Sequence, residues 1–329
     1  MKLPRVGFLG TGWIGRHRLQ AMVASGAVSA TALCDPSPEC LAAALEIAPD
    51  AKPVPSLEAM LDLDLDGLVI ATPSALHAQQ AIAALERGIA VFCQKPLGRN
   101  EAEARRVIAA AQAADRLLGV DLSYRYTAAT QAVAKEIQEG RTGPVFAADL
   151  TFHNAYGPDK PWFYDRFQSG GGCVIDLGVH LVDLAMWLLG YPAVERVTSR
   201  LYANGRPLEP GAGAVEDYAV AHLDLDTGAS FRLACSWNLH AGQEAVIEAV
   251  FHGPQAAAGF RNIGGSFYDF EAFANNGTAR TCLSSPPDKW GGRAAAHWAT
   301  SLARSTRFDP DVHQVGNVSA ILDRIYAPD

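Results

Sequence analysis

Glycines at positions 10, 12 and 15, set between an apolar run and a helix-forming stretch, constrain this chain more than any other feature. Val6-Gly7-Phe8-Leu9 reads as a short strand, and Gly10-Thr11-Gly12-Trp13-Ile14-Gly15 follows it directly. In such a strand–turn–helix unit the first glycine permits the tight turn and the second lets the backbone approach a pyrophosphate. The third allows helix and strand to pack closely, while free N–H groups at the helix start face the anion. Asp35 follows Gly15 by 20 residues. It ends the next apolar run, Ala30-Thr31-Ala32-Leu33-Cys34, where a carboxylate takes the adenosine ribose hydroxyls. The plainer alternative is a tight βα turn and an aspartate that only caps the loop before Pro36. Strand, fingerprint, helix, strand and acid in this order favour a bound dinucleotide, with Gly10, Gly12, Trp13, Ile14, Gly15 and Asp35 as its contacts. A carboxylate repels a ribose 2′-phosphate, and Pro36-Ser37-Pro38-Glu39 offers no cation, so NAD is expected rather than NADP. Arg16 and Arg18 are the nearest residues able to reach a phosphate.

The pattern around this unit extends it to a domain. Gly67–Ala71, Gly88–Cys93 and Leu117–Val120 read as further strands, and Leu76–Arg87 and Glu101–Ala114 as helices free of internal glycine and proline. Alternating strands and helices imply a doubly wound parallel sheet, the Rossmann type of α/β fold. After about Asp121 the texture changes. A helix over Ala129–Glu139 gives way to β-rich stretches at Val145–Phe152, Val194–Tyr202 and Ala245–Phe251. Tyr218–Leu225 and Ala229–Ser236 read as a hairpin across Asp226-Thr227-Gly228. Successive hairpins imply antiparallel pairing, so this half is expected to be α+β, with a large, mostly antiparallel open sheet carrying helices on one face. We place the domains over residues 1–121 and 122–329.

The chain has 329 residues, 49% hydrophobic and 19% charged, with a net charge of −8. No basic surface of the kind that nucleic acid or anionic membranes demand is implied. The six cysteines form no CxxC pair, so they read as reduced thiols and neither a disulfide framework nor a metal site. The few apolar residues before Gly10 are too short for a signal-peptide core, and no apolar run approaches the roughly 18 residues of a membrane span. A cytoplasmic protein is expected.

Two further segments carry chemistry. Gln94-Lys95-Pro96 lies at the end of the fourth strand, beyond which ligands of an open parallel sheet bind, so Lys95 either faces a nicotinamide or is a surface lysine before a turn. Gly170-Gly171-Gly172 opens a helix on which Asp176, His180 and Asp183 recur at i, i+4 and i+7. A polar row flanked by Leu177, Leu181 and Leu184 is costly unless used or paired. A structural Asp–His pair is the competing reading, and a metal site lacks further ligands.

With these features in order, the sequence resembles the Gfo/Idh/MocA family of oxidoreductases, which includes inositol and sugar dehydrogenases. The resemblance runs through the fingerprint, Ala71-Thr72-Pro73-Ser74-Ala75-Leu76-His77, Gln94-Lys95-Pro96-Leu97, Ser123-Tyr124-Arg125-Tyr126 and the glycine-rich segment ending at His180. It implies a Rossmann domain followed by a domain whose open sheet mediates homo-oligomerisation as a dimer or tetramer, with the active site in the cleft between them. It also implies Lys95, Asp176 and His180 as the catalytic group, and Thr72, Pro73, His77 and Lys95 beside the cofactor. His180 would take the substrate hydroxyl proton, since imidazole's ordinary pKa of about 6.5 suits exchange at neutral pH. Lys95 would stabilise the resulting oxyanion, and Asp176 would orient His180 or the sugar. Gln94 departs from the usual glutamate and is expected to leave the surroundings of Lys95 less anionic. Thr127 stands where many relatives have asparagine.

The remaining substrate-binding candidates are Arg125, His153, Tyr156, Trp162 and Arg166. The loop Trp162, Tyr164, Asp165 and Arg166 reads either as a lid over a polyol or as an ordinary polar loop. His77 reads as a contact to the cofactor ribose or as an exposed helix-start residue. The implied activity is hydride transfer between nicotinamide and a secondary alcohol of a sugar, sugar derivative or cyclitol. Two alternatives remain. One is an enzyme that holds its NAD and uses transient oxidation for elimination, glycoside cleavage or epimerisation. The other is a non-catalytic NAD- and sugar-sensing regulator.

Overall fold

The computed structural model describes residues 2–209 and 213–327. They form two units. One runs as far as Ser123 and takes in Gly291–Gly316; the other comprises Tyr124–Trp290 and the chain from Asn317 onward. The return of Gly291–Gly316 to the first unit has no local sequence signal.

The first unit is built on six strands, β1 (Arg5–Leu9), β2 (Ser29–Cys34), β3 (Lys52–Pro53), β4 (Gly67–Ile70), β5 (Ala90–Cys93) and β6 (Leu118–Val120). Every pairing is parallel and the order is β3-β2-β1-β4-β5-β6. All of β4 and β5 is buried, as expected of strands covered on both faces. Leu9, Leu68, Ile70, Val91 and Cys93 pack there with Ala81, Leu85, Val107 and Ala111 from the helices Ser74–Glu86 and Glu101–Ala114. Those helices end where the sequence allows. Asn100 caps the second by accepting from Glu103 N–H, and Asp115 closes it in a left-handed conformation. The helix Arg293–Arg304 brings Trp298 to within 5.7 Å of the Phe92 ring on β5. The strand order reverses between β1 and β4, so the carboxyl ends of these two strands form the crevice where such sheets bind ligands.

The second unit carries a sheet of nine strands among the described residues: β7 (Ala147–Asn154), β8 (Val194–Ala203), β9 (Arg206–Pro207), β10 (Tyr218–Leu225), β11 (Ser230–Ser236), β12 (Ala245–His252), β13 (Ala257–Asn262), β14 (Phe270–Asn276) and β15 (Ala279–Ser284). Their order is β15-β14-β13-β12-β7-β11-β10-β8-β9. The expected hairpin is present, with Tyr218 opposite Ser236 and Asp224 opposite Ser230. All pairings are antiparallel except β7 with β11, which run parallel at the centre of the sheet. Alternation sends Leu150, Phe152, Leu233, Cys235, Ile247 and Phe251 into a core shared with the segment Val174–Leu188. The stretch Arg166–Leu188 is long and apolar enough by composition to cross a membrane, yet 89% of its most apolar 18-residue window is buried inside the fold, as a core segment is.

Candidate active site

The fingerprint has the backbone that its glycines predict. Gly10 has φ +84°, and a Cβ there would lie 2.6 Å from Ala71 O at the end of β4. A Cβ on Gly15 would lie 2.0 Å from Gly10 O, whereas one on Gly12 would meet nothing within 4 Å. Gly12 opens the helix Trp13–Ser25 without any side-chain cap, so the first N–H groups of the helix remain for an anion. Asp35, at the end of β2, accepts from Thr11 N–H at 2.5 Å and from Ser37 N–H at 2.8 Å. This carboxylate ties the glycine turn to the β2 loop and keeps acceptor capacity for hydroxyls. An open cradle at Gly12 beside a fixed acid fits a dinucleotide.

The loops after β4 and β5 are joined by one side chain. The His77 ring nitrogens lie 2.7 Å from Pro96 O and 2.7 Å from Thr72 O, and the residue is 1% exposed. The imidazole thus braces the Thr72-Pro73 and Lys95-Pro96 loops from within and is not an exposed helix-start residue. Burial pushes its pKa down, against the opposite pull of the two carbonyls. The Lys95-Pro96 peptide is cis. Gln94 donates its amide to buried Asp121, and the Arg18 guanidinium meets the same carboxylate, so an acid is present one strand away. Arg18 is thereby engaged in an internal pair.

In the second unit the glycine run is shaped by Glu216, a residue without a sequence signal. Its Oε1 accepts from Gly172 N–H and Val174 N–H at 2.9 Å each, and from the Tyr326 hydroxyl at 2.7 Å. A Cβ on Gly172 would lie 1.9 Å from Glu216 O, which is why only glycine fits. Burial raises the Glu216 pKa despite these donors. The chain then makes a π-helical turn, Val174–Gly178, holding Asp176, and continues as the α-helix Val179–Leu188 holding His180. Such wide turns recur at functional sites.

The polar row divides by partner. Asp183 binds Arg125, whose Nε donates at 2.8 Å, and Arg125 also donates to the Tyr191 hydroxyl at 2.8 Å. These bonds make Arg125 and the buried Asp183 an internal pair. Asp176 Oδ2 accepts from the indole of Trp237 at 3.1 Å. The His180 ring lies 4.7 Å from that of Tyr124. Burial and the Asp176 charge push the Tyr124 hydroxyl well above the usual phenol range. Tyr124 and Trp237 are therefore neighbours of the pair that residue-by-residue reasoning missed; Tyr124 stood only within the Ser123–Tyr126 motif.

The other candidates disperse. His153 bonds the Ser236 hydroxyl at 2.7 Å and stacks on Tyr218 at 5.8 Å, on the sheet face opposite Phe152, whose ring lies 6.3 Å from that of His180. Strand alternation separates it from His180. Tyr156 is half-exposed and near Phe267, at 6.0 Å. Trp162 stacks on Phe163 at 3.8 Å, and Phe163 and Tyr164 both face Trp237. Asp165 is the N-cap of the following helical turn, and the Arg166 guanidinium lies 5.6 Å from the Tyr326 ring. Thr127 caps the helix Ala128–Gln138 by accepting from Thr130 N–H.

Residues 4–122 match the oxidoreductase family with an NAD-binding Rossmann fold, and residues 130–258 match the GFO/IDH/MocA C-terminal domain. The first unit is thus a dinucleotide-binding domain whose cofactor is NAD. The chain belongs to the Gfo/Idh/MocA family of oxidoreductases. It is 26% identical to D-glucoside 3-dehydrogenase of Escherichia coli strain K12 over 60% of each protein, so the match spans less than two thirds of that relative. It is 29% identical to D-apiose dehydrogenase of Paraburkholderia graminis over 86% of this chain and 73% of the relative. Levoglucosan dehydrogenase in complex with NADH has the same fold, with a TM-score of 0.82 at 22% identity over 99% of this chain and 96% of that one.

Proposed function

We propose that the protein is an NAD-dependent dehydrogenase that oxidises a secondary alcohol of a sugar, sugar derivative or cyclitol. The observation that carries this is Asp176 and His180 on successive turns of one buried segment, among aromatic side chains suited to sugar C–H faces, in a chain with an intact NAD cradle. His180 takes the hydroxyl proton, Lys95 stabilises the developing oxyanion, and Asp176 orients the sugar or His180. NAD bound at the glycine turn and Asp35 would supply the acceptor for the hydride of the carbinol carbon. Trp162 and Tyr164 supply ring surface on the sugar side.

In this reading the protein works as a cytoplasmic homo-oligomer. The six free thiols support a reducing compartment. The sheet face carrying Asp149, Thr151, His153 and Glu248, none of them fully buried, supports association through that surface.

The test is incubation with NAD and a panel of inositols, aldoses and anhydrosugars at mildly alkaline pH, following NADH absorbance. NADH formation lost in Lys95→Ala supports the reading and names the substrate class. NAD binding without any NADH overturns it in favour of a retained cofactor or a sensor.

A further inference from the structure

Asp176 is held by a side chain from outside its own helix. Trp237 follows β11, is 2% exposed and donates its indole N–H to Asp176 Oδ2 at 3.1 Å. An indole N–H can only donate, and a carboxylate among aromatic rings is costly unless it is hydrogen-bonded. Core packing by itself does not demand this contact. Of the other buried tryptophans, Trp290 donates to the carbonyl of Tyr268, and the indole nitrogen of Trp298 has no hydrogen-bond partner.

The indole is itself fixed on several sides. Its backbone N–H donates to Asp217 O at 2.7 Å. Phe163 meets its ring edge-on at 6.3 Å and 89°, and Tyr164 at 5.6 Å and 62°. Tyr164 in turn donates its hydroxyl to Pro158 O at 3.0 Å. A rigid ring with one fixed donor restrains the position of the carboxylate oxygen it binds.

We propose that Trp237 is the positioning residue of Asp176, and that the turn Pro161–Tyr164 holds Trp237 in place for that task. The proposal deepens the reading above and rests on it for the place of Asp176 in catalysis. Trp237 acts through the carboxylate and needs no contact of its own with the substrate.

Trp237→Phe keeps an aromatic ring against Phe163 and Tyr164 and removes the donor. With a sugar found in the panel, kcat is expected to fall about 10- to 100-fold, the range for a lost hydrogen bond to a charged group. KM and NADH affinity are expected to change little. In an Asp176→Asn background the same substitution is expected to add little further loss, because the two residues act as one unit. Equal losses in both backgrounds would overturn the proposal.

A second measurement needs no reaction. In protein labelled with 15N-tryptophan, the Trp237 indole resonance is identified by its loss in Trp237→Phe, or in Trp237→Tyr if the first variant does not fold. Asp176→Asn is expected to move that resonance more than the other indoles, and an unmoved resonance overturns the proposal. If the resonance moves but no sugar is oxidised, the positioning contact stands and the dehydrogenase reading fails.

Discussion

Gln94 donates its side-chain amide to Asp121 Oδ2, the same oxygen that Arg18 Nε reaches, and all three residues are buried. An amide at position 94 satisfies an acid at position 121, and the Arg18 charge balances that acid. Gln94→Glu sets two carboxylates against each other where water cannot screen them. We expect it to destabilise the protein by about 2–4 kcal/mol, less when combined with Asp121→Asn. Denaturant midpoints of the single and double variants check this, and strictly additive effects would contradict it.

Glu216 gives a pH dependence with a definite sign. Its folded pKa is raised by burial, so its contribution is fully present below the unfolded carboxyl value of about 4.3 and is lost as pH rises through the folded value. Glu216→Gln keeps an acceptor oxygen for Gly172, Val174 and Tyr326 and does not ionise. Its stability relative to the parent is therefore expected to improve from pH 4 to pH 8. A gap that stays constant across this range, measured by thermal or urea unfolding, refutes the assignment.

Gly172→Ala places a methyl group where Glu216 O lies, 1.9 Å from the ideal Cβ. The turn that launches Asp176 must shift. A loss of about 1–3 kcal/mol is expected, together with weaker turnover of any sugar substrate. Unfolding and steady-state kinetics on the same preparation measure both, and a variant matching the parent in each would show that the turn relaxes freely.

Asp35→Ala removes the acceptor of the Thr11 and Ser37 N–H groups together with the expected ribose contact. NADH affinity should fall about 10- to 100-fold, and NADPH affinity by less, since the repulsion of a 2′-phosphate is relieved. Fluorescence titrations with both nucleotides compare the two, and a larger loss for NADPH would contradict this.

Trp298→Ala empties the space against Phe92 beneath the first sheet and is expected to cost about 3–5 kcal/mol. A loss near zero in chemical unfolding would show that Gly291–Gly316 is not a structural part of the first unit.

Five strands of the first sheet were legible as short apolar runs, and the fingerprint uses glycines that only a βα turn and a phosphate need; β3, the exposed pair Lys52-Pro53, carries no apolar signal. The hairpin β10–β11 was legible from Asp226-Thr227-Gly228, where Gly228 has φ +81°. The strands β13 to β15 lack comparable patterning. Gly259 and Asn262 interrupt β13, and β15 is an exposed edge, so its residues show no alternation.

The sequence by itself determined the dinucleotide cradle, the family and the presence of Lys95, Asp176 and His180, because each depends on residue types at short spacings. The tertiary structure decided which polar groups keep company. Asp183 went to Arg125, Asp176 to Trp237, Gln94 to Asp121 and the glycine turn to Glu216, across separations from 27 to 61 residues. A buried polar group must find a partner wherever the folded chain brings one, and that choice is made by packing at a distance that no local pattern records.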